Sequence, residues 1–132
     1  MPVETTIQKN GLLELFSGTI TINDISNAMQ RIFSLPNFDE LRYLVFDLTK
    51  VEHYELMQDR LEEVASSSIG ASHSNANIRI AVVTYDSGLA SMAEKCIQSG
   101  TVGYPTQIFS KIESAMIWAR HRRPPIFSSS ML

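Results

Sequence analysis

Tyr43-Leu44-Val45-Phe46 is a run of four consecutive apolar residues that ends at Asp47. Uninterrupted apolar runs of this length are typical of strands buried on both faces, as in a parallel sheet that is covered by helices. A second run, Ile80-Ala81-Val82-Val83, lies in a predicted strand from residue 78 to residue 85, which ends at Asp86. The two runs therefore predict an α/β domain whose sheet is mostly parallel.

Helical periodicity, with apolar residues every three or four positions, begins soon after a predicted hairpin and recurs in four segments. The first segment begins after Thr21, which is predicted to form a capping box with Asp24, and it ends at Pro36. The second is predicted from about residue 54 to residue 65. The serine-rich stretch 65–77 is expected to fray from the end of that helix.

The third and fourth helices follow the second buried strand. Ser87 is predicted to cap the third helix and Gly100 to close it, and the fourth helix follows Ser110. Gly103 also follows a helix rather than a strand, so we interpret Gly100 and Gly103 as a C-cap and a turn residue rather than as a phosphate-binding loop.

The N-terminus is predicted to form a β-hairpin. Residues 3–9 and 12–16 are short extended segments joined by Asn10-Gly11, and two residues that tolerate positive φ suit a type I′ turn. A last strand is predicted from residue 106 to residue 109. The element order is β-β-α-β-α-β-α-β-α, which predicts a mixed, mostly parallel sheet of about five strands with four main helices and right-handed crossovers.

Length and composition are those of one globular domain. The chain has 132 residues, 44% of them hydrophobic, and a net charge of −3. We expect a single domain over residues 1–123 and a C-terminal tail over 124–132. The negative net charge disfavours nucleic acid as a partner, and we expect neither a signal peptide nor a membrane span. A single cysteine, Cys96, suits a reducing, cytoplasmic location.

Two apolar residues are assigned to the core by their helical positions. Met57 lies on the predicted inner face of the second helix, and Cys96 lies on that of the third helix. A cysteine on an apolar face, without a histidine or cation assigned beside it, is typical of a small core residue rather than a nucleophile.

The carboxyl ends of the predicted parallel strands are where an open α/β sheet binds ligands. Asp47, Thr84 and Lys111 lie at these ends, as do the phosphoacceptor, hydroxyl and lysine residues of a receiver domain. Such a site also needs acids at the end of the first parallel strand to bind Mg²⁺, and residues 16–19 provide none. We interpret Asp47 and Asp86 as acceptors of backbone N–H groups in turns. An enzyme using Asp47, Asp86 and Lys111 is the less favoured alternative.

Histidines and basic residues provide no defined site. His53, His73 and His121 share no metal-ligand spacing, so we expect neither a metal nor another cofactor. Arg120-His121-Arg122-Arg123 is a dense basic cluster at the end of the last predicted helix, where positive charge complements the helix dipole. Alternatively, the cluster could hold an acidic partner or a phosphate.

Four segments carry a resemblance to a known family. They are residues 17–21, Ser-Gly-Thr-Ile-Thr; residues 44–48, Leu-Val-Phe-Asp-Leu; residues 78–83, Ile-Arg-Ile-Ala-Val-Val; and residues 114–118, Ser-Ala-Met-Ile-Trp. Over roughly residues 3–120 the chain resembles the STAS superfamily, and within it the short SpoIIAA-like proteins. These segments are mostly core and capping residues, so they indicate the fold more strongly than an activity.

The resemblance implies a non-catalytic regulatory or binding module. Well-known members are anti-sigma-factor antagonists, which are switched by phosphorylation of a serine in an Asp-Ser-Ser-Gly-type turn at the start of the second helix. In this chain Glu55-Leu56-Met57-Gln58 occupies that position, and Tyr54 is the nearest hydroxyl. A phosphoserine switch is therefore not expected.

Two kinds of binding function follow. The favoured one is interaction with another protein, or with a second copy of the chain as a homodimer, through the second helix and a predicted loop over residues 49–54. The alternative is a small apolar ligand or lipid in a crevice between helices and sheet. The predicted interaction or ligand surface consists of Asp47, Thr49, Lys50, His53, Tyr54, Glu55, Tyr85, Asp86 and Ser87.

Overall fold

Five strands form a single sheet in the computed structural model, which describes residues 3–121. Their order in the sheet follows their order in the chain. The first pair is antiparallel and the other neighbours are parallel, which confirms the predicted mixed, mostly parallel sheet. The strands are β1 (Val3–Gln8), β2 (Gly11–Thr21), β3 (Tyr43–Glu55), β4 (Arg79–Val83) and β5 (Thr106–Phe109).

Helices cover both faces of the sheet. They are α1 (Ile22–Phe33), α2 (Gln58–Ala65), α3 (Ser67–Ser74), α4 (Ser87–Gln98) and α5 (Ile112–Arg120). The first four lie on one face and α5 lies on the other. Along β3, Leu44 and Phe46 pack into the core under α1, whereas Tyr43 and Val45 pack against α5. Because successive side chains of a strand point to opposite faces, covering both faces requires the uninterrupted apolar run.

The predicted ends of two helices are confirmed. The Asp24 carboxylate accepts a hydrogen bond from the backbone N–H of Thr21 at 2.8 Å, which is the reach-back contact of a capping box. Gly100 follows α4 with a φ of +76° and thereby ends that helix. These ends depend on local chemistry, which is why the sequence predicts them.

The prediction of a helix from residue 54 is wrong. β3 continues to Glu55, and α2 begins only at Gln58. Residues 50–55 pair with residues 17–21 of β2, so the segment predicted as a loop and as the first turn of a helix is a strand. Asp47 consequently lies inside β3 rather than at its end. Pairing with a distant strand outweighed the local periodicity.

The serine-rich stretch 65–77 does not fray. Most of it forms α3 (Ser67–Ser74), which begins two residues after α2 ends and lies wholly beyond the predicted second helix. Ser67 and Ser68 donate their hydroxyls to the carbonyl oxygens of Val64 and Ala65, each at 2.7 Å. Hydroxyls that bond back to the preceding turn satisfy their own polarity, so a serine-rich helix is compatible with burial against the domain.

The N-terminal hairpin is confirmed, but its turn is not the predicted one. Gln8 pairs with Gly11, which places Lys9 and Asn10 in the turn. Asn10 has a φ of +64°, whereas the φ of Gly11 is not positive, so the turn is not type I′ at Asn10-Gly11. Gly11 has a different role, because a Cβ at this position would overlap the buried ring of Tyr43.

Glu14 is a buried carboxylic acid beneath α1. It lies on β2 and is only 1% exposed. Burial raises the pKa of Glu14, while the side chain of Thr5 on β1 and the charge of Arg31 on α1 lower this pKa by less. The Arg31 guanidinium is 4.0 Å from the carboxylate, and half of the Arg31 side chain is exposed. Glu14 is thus an incompletely compensated charge inside the core.

Replacing Glu14 with methionine, which has a similar volume, is expected to increase the free energy of unfolding at pH 8 by about 1–4 kcal/mol. The pKa of Glu14 is raised in the folded state. Its contribution to the free energy of unfolding is therefore fully present only below the unfolded pKa, and it is lost as pH rises through the folded pKa. The gain from Glu14→Met should therefore shrink towards pH 4. Urea denaturation at several pH values measures it, and a difference independent of pH would contradict this account.

Candidate functional site

A two-stranded ribbon projects beyond the rest of the sheet at the carboxyl end of β3. It consists of residues 17–21 of β2 and residues 50–55 of β3. β4 stops opposite Asp47, so within the described chain no strand pairs with the other edge of β3 along this ribbon. The register shifts twice as β2 and β3 enter it, and Gly18 has a φ of +70° there, where glycine is favoured. Several predicted site residues therefore lie on an exposed ribbon rather than in a loop.

The ribbon is joined to α4 by one hydrogen bond between side chains. The Tyr54 hydroxyl donates to Oδ1 of Asp86 at 3.2 Å. A Cβ on residue 88 would overlap this hydroxyl, so Gly88 leaves the space that the contact needs. The structure thus places Tyr54, near the end of β3, beside Asp86, which follows β4, although β3 runs on well beyond the end of β4.

Asp86 also caps α4, so the prediction that Ser87 is the cap is wrong by one residue. Asp86 Oδ1 accepts a hydrogen bond from the backbone N–H of Leu89 at 3.0 Å. This backbone bond lowers the pKa of Asp86, and the Tyr54 hydroxyl lowers it further. Burial, followed by the hydrogen bond and the negative charge of Asp86, raises the pKa of Tyr54. Tyr54 is therefore a hydrogen-bond donor and Asp86 an anion at neutral pH.

The Asp47 carboxylate forms its hydrogen bonds within its own strand, β3. Its Oδ1 accepts hydrogen bonds from the backbone N–H of Thr49 at 2.9 Å and from the Thr49 hydroxyl at 2.7 Å. At the end of β4, the Thr84 hydroxyl accepts a hydrogen bond from the backbone N–H of Asp86 at 3.0 Å. Both carboxylates thus accept backbone N–H groups, as interpreted from the sequence, but only Asp86 does so in a turn that enters a helix, because Asp47 and Thr49 both lie inside β3.

Large apolar side chains are exposed at the same end of the sheet. Tyr85, which follows β4, is 75% exposed, and Met57, which precedes α2, is 67% exposed. The assignment of Met57 to a buried helix face is wrong, because the helix begins after it rather than before it. The exposed polar members of the predicted surface lie close to Met57 and Tyr85 in the sequence. They are Lys50, His53, Glu55, Asp86 and Ser87. We call Tyr54, Met57, Tyr85 and Asp86, with these neighbours, the carboxyl-end surface.

An apolar cavity lies between the helices and the sheet. Its volume is about 120 Å³, and side chains from α1, α2, α4 and the central strands line it. Cys96 on α4 is buried there, and burial raises the pKa of its thiol. Gln58 donates to the Met92 carbonyl at 3.2 Å and contacts the Cys96 sulfur at 3.7 Å. Cys96 is only 4% exposed, so it is a core residue, as predicted, and its raised pKa keeps the thiol protonated.

Other candidate sites from the sequence stay apart. Within residues 3–121, no three histidine, cysteine or carboxylate side chains come close enough to hold a metal ion. None of the helices in that part of the chain is long and apolar enough to cross a bilayer. From the basic cluster, Arg120 ends α5 and His121 follows it. Arg122, Arg123 and the predicted tail over 124–132 lie outside the described residues.

Comparison with known proteins identifies the fold. No family model matches the sequence, and no curated protein matches it either. An anti-sigma factor antagonist from Mycobacterium paratuberculosis has a similar structure, with a TM-score of 0.62 and 15% sequence identity over 90% of this chain and 93% of that chain.

Two further structures are similar at lower scores. SpoIIAA in its unphosphorylated form, itself an anti-sigma factor antagonist, gives a TM-score of 0.54 and 8% identity over 89% of this chain and 97% of that chain. An uncharacterised protein with a SpoIIAA-like fold from Shewanella loihica PV-4 gives a TM-score of 0.53 and 13% identity over 89% and 91%. The chain has the SpoIIAA-like fold, which confirms the resemblance at the level of the fold.

Proposed function

We propose that this protein is a non-catalytic regulatory module that binds another protein through the carboxyl-end surface. The observation that carries the proposal is the exposure of Met57 and Tyr85 at one end of the sheet. Exposed apolar side chains that are surrounded by polar groups are typical of protein-binding surfaces. Tyrosine and methionine are both enriched at such interfaces.

The chemistry of the same surface supports binding rather than catalysis. Asp47 and Asp86 each accept hydrogen bonds from nearby backbone N–H groups. The hydrogen bond from the Leu89 N–H lowers the pKa of Asp86, so this carboxylate is an anion at neutral pH and a poor general acid. An anti-sigma factor antagonist of this fold acts on another protein, and we extend that class of partner to this chain.

The connection between β3 and α2 supports a partner interaction without a phosphoserine switch. Met57 is the N-cap residue of α2, and its side chain makes no cap hydrogen bond. Residues 55–58 carry no hydroxyl group, so a kinase has no target there. We therefore propose that binding at this surface is constitutive with respect to phosphorylation of that turn.

The apolar cavity gives weaker support to a small-ligand function. A volume of about 120 Å³ is close to that of cavities that hold one benzene-sized molecule. Pockets for drug-sized ligands measure about 300–1,000 Å³. A lipid chain would not fit the cavity as it stands, so a protein partner is the better-supported proposal.

Replacing Met57 and Tyr85 together with aspartate should reduce recovery of the partner by at least about tenfold, because apolar anchors at an interface contribute about 2 kcal/mol or more each. The tagged full chain is incubated with extract of its native host, and bound proteins are quantified by mass spectrometry. The matched control is Ile7→Asp with Ile117→Asp, whose side chains are 78% and 73% exposed elsewhere.

Both double variants should retain the far-UV circular dichroism of the native chain, since all four side chains are exposed. Loss of one bound protein in the Met57/Tyr85 variant alone supports the proposal, and if that protein is the chain itself, the partner is a second copy. Equal recovery by both variants, or loss only in the Ile7/Ile117 control, would show that the carboxyl-end surface is not the binding site.

A further inference from the structure

A second and larger cavity lies at the opposite end of the sheet, where β3, β4 and β5 begin. Its volume is about 620 Å³. Four cationic side chains line it: Lys9 from the hairpin turn, Arg42 and Arg79 from the starts of β3 and β4, and Arg120 from the end of α5. Among residues 3–121, its lining contains no carboxylate. We call this cavity the basic cleft.

Two of the guanidinium groups are held in place by aromatic rings and uncharged acceptors. The guanidinium carbon of Arg79 lies 5.2 Å from the centre of the Trp118 ring, and Nη1 of Arg79 donates to the Trp118 carbonyl oxygen at 2.9 Å. The guanidinium carbon of Arg120 lies 5.8 Å from the centre of the Tyr43 ring, and Nε of Arg120 donates to the Tyr43 hydroxyl at 3.4 Å. These contacts fix orientation without neutralising charge, so both cations remain able to attract an anion.

The floor of the basic cleft is tied together by backbone hydrogen bonds across four separate chain segments. The N–H of Arg42 donates to the carbonyl of Asn10 at 2.7 Å, and the N–H of Arg79 donates to the carbonyl of Arg42 at 3.1 Å. The N–H of Ile80 donates to the carbonyl of Pro105 at 2.9 Å. A cleft that is already ordered avoids the entropic cost of assembling its cations around a ligand.

We propose that the basic cleft binds a small molecule that carries phosphate groups. Guanidinium groups match phosphate oxygens with paired hydrogen bonds, and several cations converging on one concave site suit a multiply charged group. The cleft volume is in the range of small-ligand sites. The net charge of −3 opposes a long polyanion such as nucleic acid, whose field would extend over the whole protein.

The test uses inorganic pyrophosphate as the probe and the ¹⁵N-labelled full chain at low ionic strength. Titration followed by ¹H–¹⁵N correlation spectra should move the amide signals of Asn10, Arg42 and Arg79. ATP and adenosine are titrated separately. Tighter binding of ATP than of pyrophosphate with no binding of adenosine assigns a nucleotide, whereas equal affinity assigns a ligand recognised by its phosphates; both outcomes support the proposal.

Variants test whether the basic cleft carries the binding. Arg79→Gln with Arg120→Gln should weaken pyrophosphate binding at least about tenfold, since one charge-assisted hydrogen bond corresponds to roughly a factor of ten. Lys9→Gln, in an exposed turn where it cannot unfold the domain, should weaken binding about two- to fivefold. The matched control, Arg60→Gln with Lys95→Gln, removes two exposed charges from α2 and α4 and should change affinity less than about twofold.

Three results would overturn the proposal. The first is the absence of any shift at the basic cleft with millimolar pyrophosphate. The second is an affinity that neither the double variant nor Lys9→Gln changes, or that the control variant changes equally. The third is occupation of the basic cleft by an octaglutamate peptide in preference to pyrophosphate, which would identify an acidic protein segment as the occupant instead.

Discussion

Replacing Asn75 with alanine is expected to lower the free energy of unfolding by about 3 kcal/mol. Asn75 is 5% exposed, and its side-chain nitrogen donates to the carbonyl oxygens of Phe38 at 2.9 Å and Leu41 at 2.8 Å. Its side-chain oxygen accepts the backbone N–H of Asn77 at 2.9 Å. Each of these three bonds contributes about 1 kcal/mol, and alanine replaces none of them. Urea denaturation followed by circular dichroism measures the loss.

The control for this prediction is Asn77→Ala. Asn77 is exposed, so its replacement should change stability by less than about 0.5 kcal/mol. Because Asn75 fixes the chain that enters β4 at the mouth of the basic cleft, Asn75→Ala should also broaden the amide signal of Arg79. Equal stability of the two variants would show that the buried amide does not hold this segment.

Replacing Gly103 with alanine should destabilise the protein by about 2–3 kcal/mol. An added Cβ would lie 2.7 Å from the carbonyl oxygen of Ser68 and 2.7 Å from the Cα of Ile69. Both atoms belong to the backbone of α3 and cannot rotate away. The N–H of Gly103 also donates to the buried Ser68 hydroxyl at 2.8 Å, so moving the loop would break this bond as well.

Gly70→Ala is the matched control, because Gly70 lies in α3, the helix that Gly103 approaches, and has open space around its Cα. Alanine is the better helix former there and should raise stability by about 0.5–1 kcal/mol. Thermal unfolding of the two variants should therefore shift the midpoint in opposite directions. A loss of stability for Gly70→Ala that matches the loss for Gly103→Ala would exclude close packing as the reason for Gly103.

Features that depend on neighbouring residues could be predicted from the sequence. The apolar run of β3, the capping contact between Thr21 and Asp24, and the end of α4 at Gly100 are of this kind. Their physical causes act within a few residues, as burial of a strand on two faces or satisfaction of a helix end. The SpoIIAA-like fold could be predicted from the sequence, because these features follow one another along the chain in the order typical of that fold.

Features that depend on distant pairing could not be predicted. The extension of β3 to Glu55 needs the partner strand β2, and without it the segment shows helical periodicity. That periodicity therefore predicts Met57 on a buried face, although Met57 is exposed. Gly103 looked like an ordinary turn residue, because the helix that approaches it lies more than thirty positions earlier in the chain.

The residues of the two proposed binding surfaces could be predicted to different extents. Tyr54, Tyr85 and Asp86 lie at the carboxyl end of the sheet, as expected for residues that end or follow parallel strands, and Tyr54 contacts Asp86 there. The basic cleft combines Arg42, Arg79 and Arg120, which are widely separated in the chain. The sequence showed only Arg120, as part of a local cluster. Isolated arginines carry no sequence pattern, so their convergence requires the fold.

The two surfaces lie at opposite ends of the same strands. The carboxyl-end surface presents Tyr85 and Met57 to solvent, whereas the basic cleft presents cations held by Trp118 and Tyr43. A protein partner and a phosphate-bearing ligand would therefore not compete for the same residues. Each proposal can fail without the other, because their test variants share no position.

Site-specific photo-crosslinking in the native host tests the central claim most directly. A benzophenone amino acid is placed at position 85, on the carboxyl-end surface, or at position 117, an equally exposed position on α5. The account predicts that irradiation joins the chain at position 85 to one other protein, and that position 117 gives no such adduct. An adduct from position 117 alone, or no adduct from position 85, would contradict the claim that this protein binds its partner at the carboxyl end of its sheet.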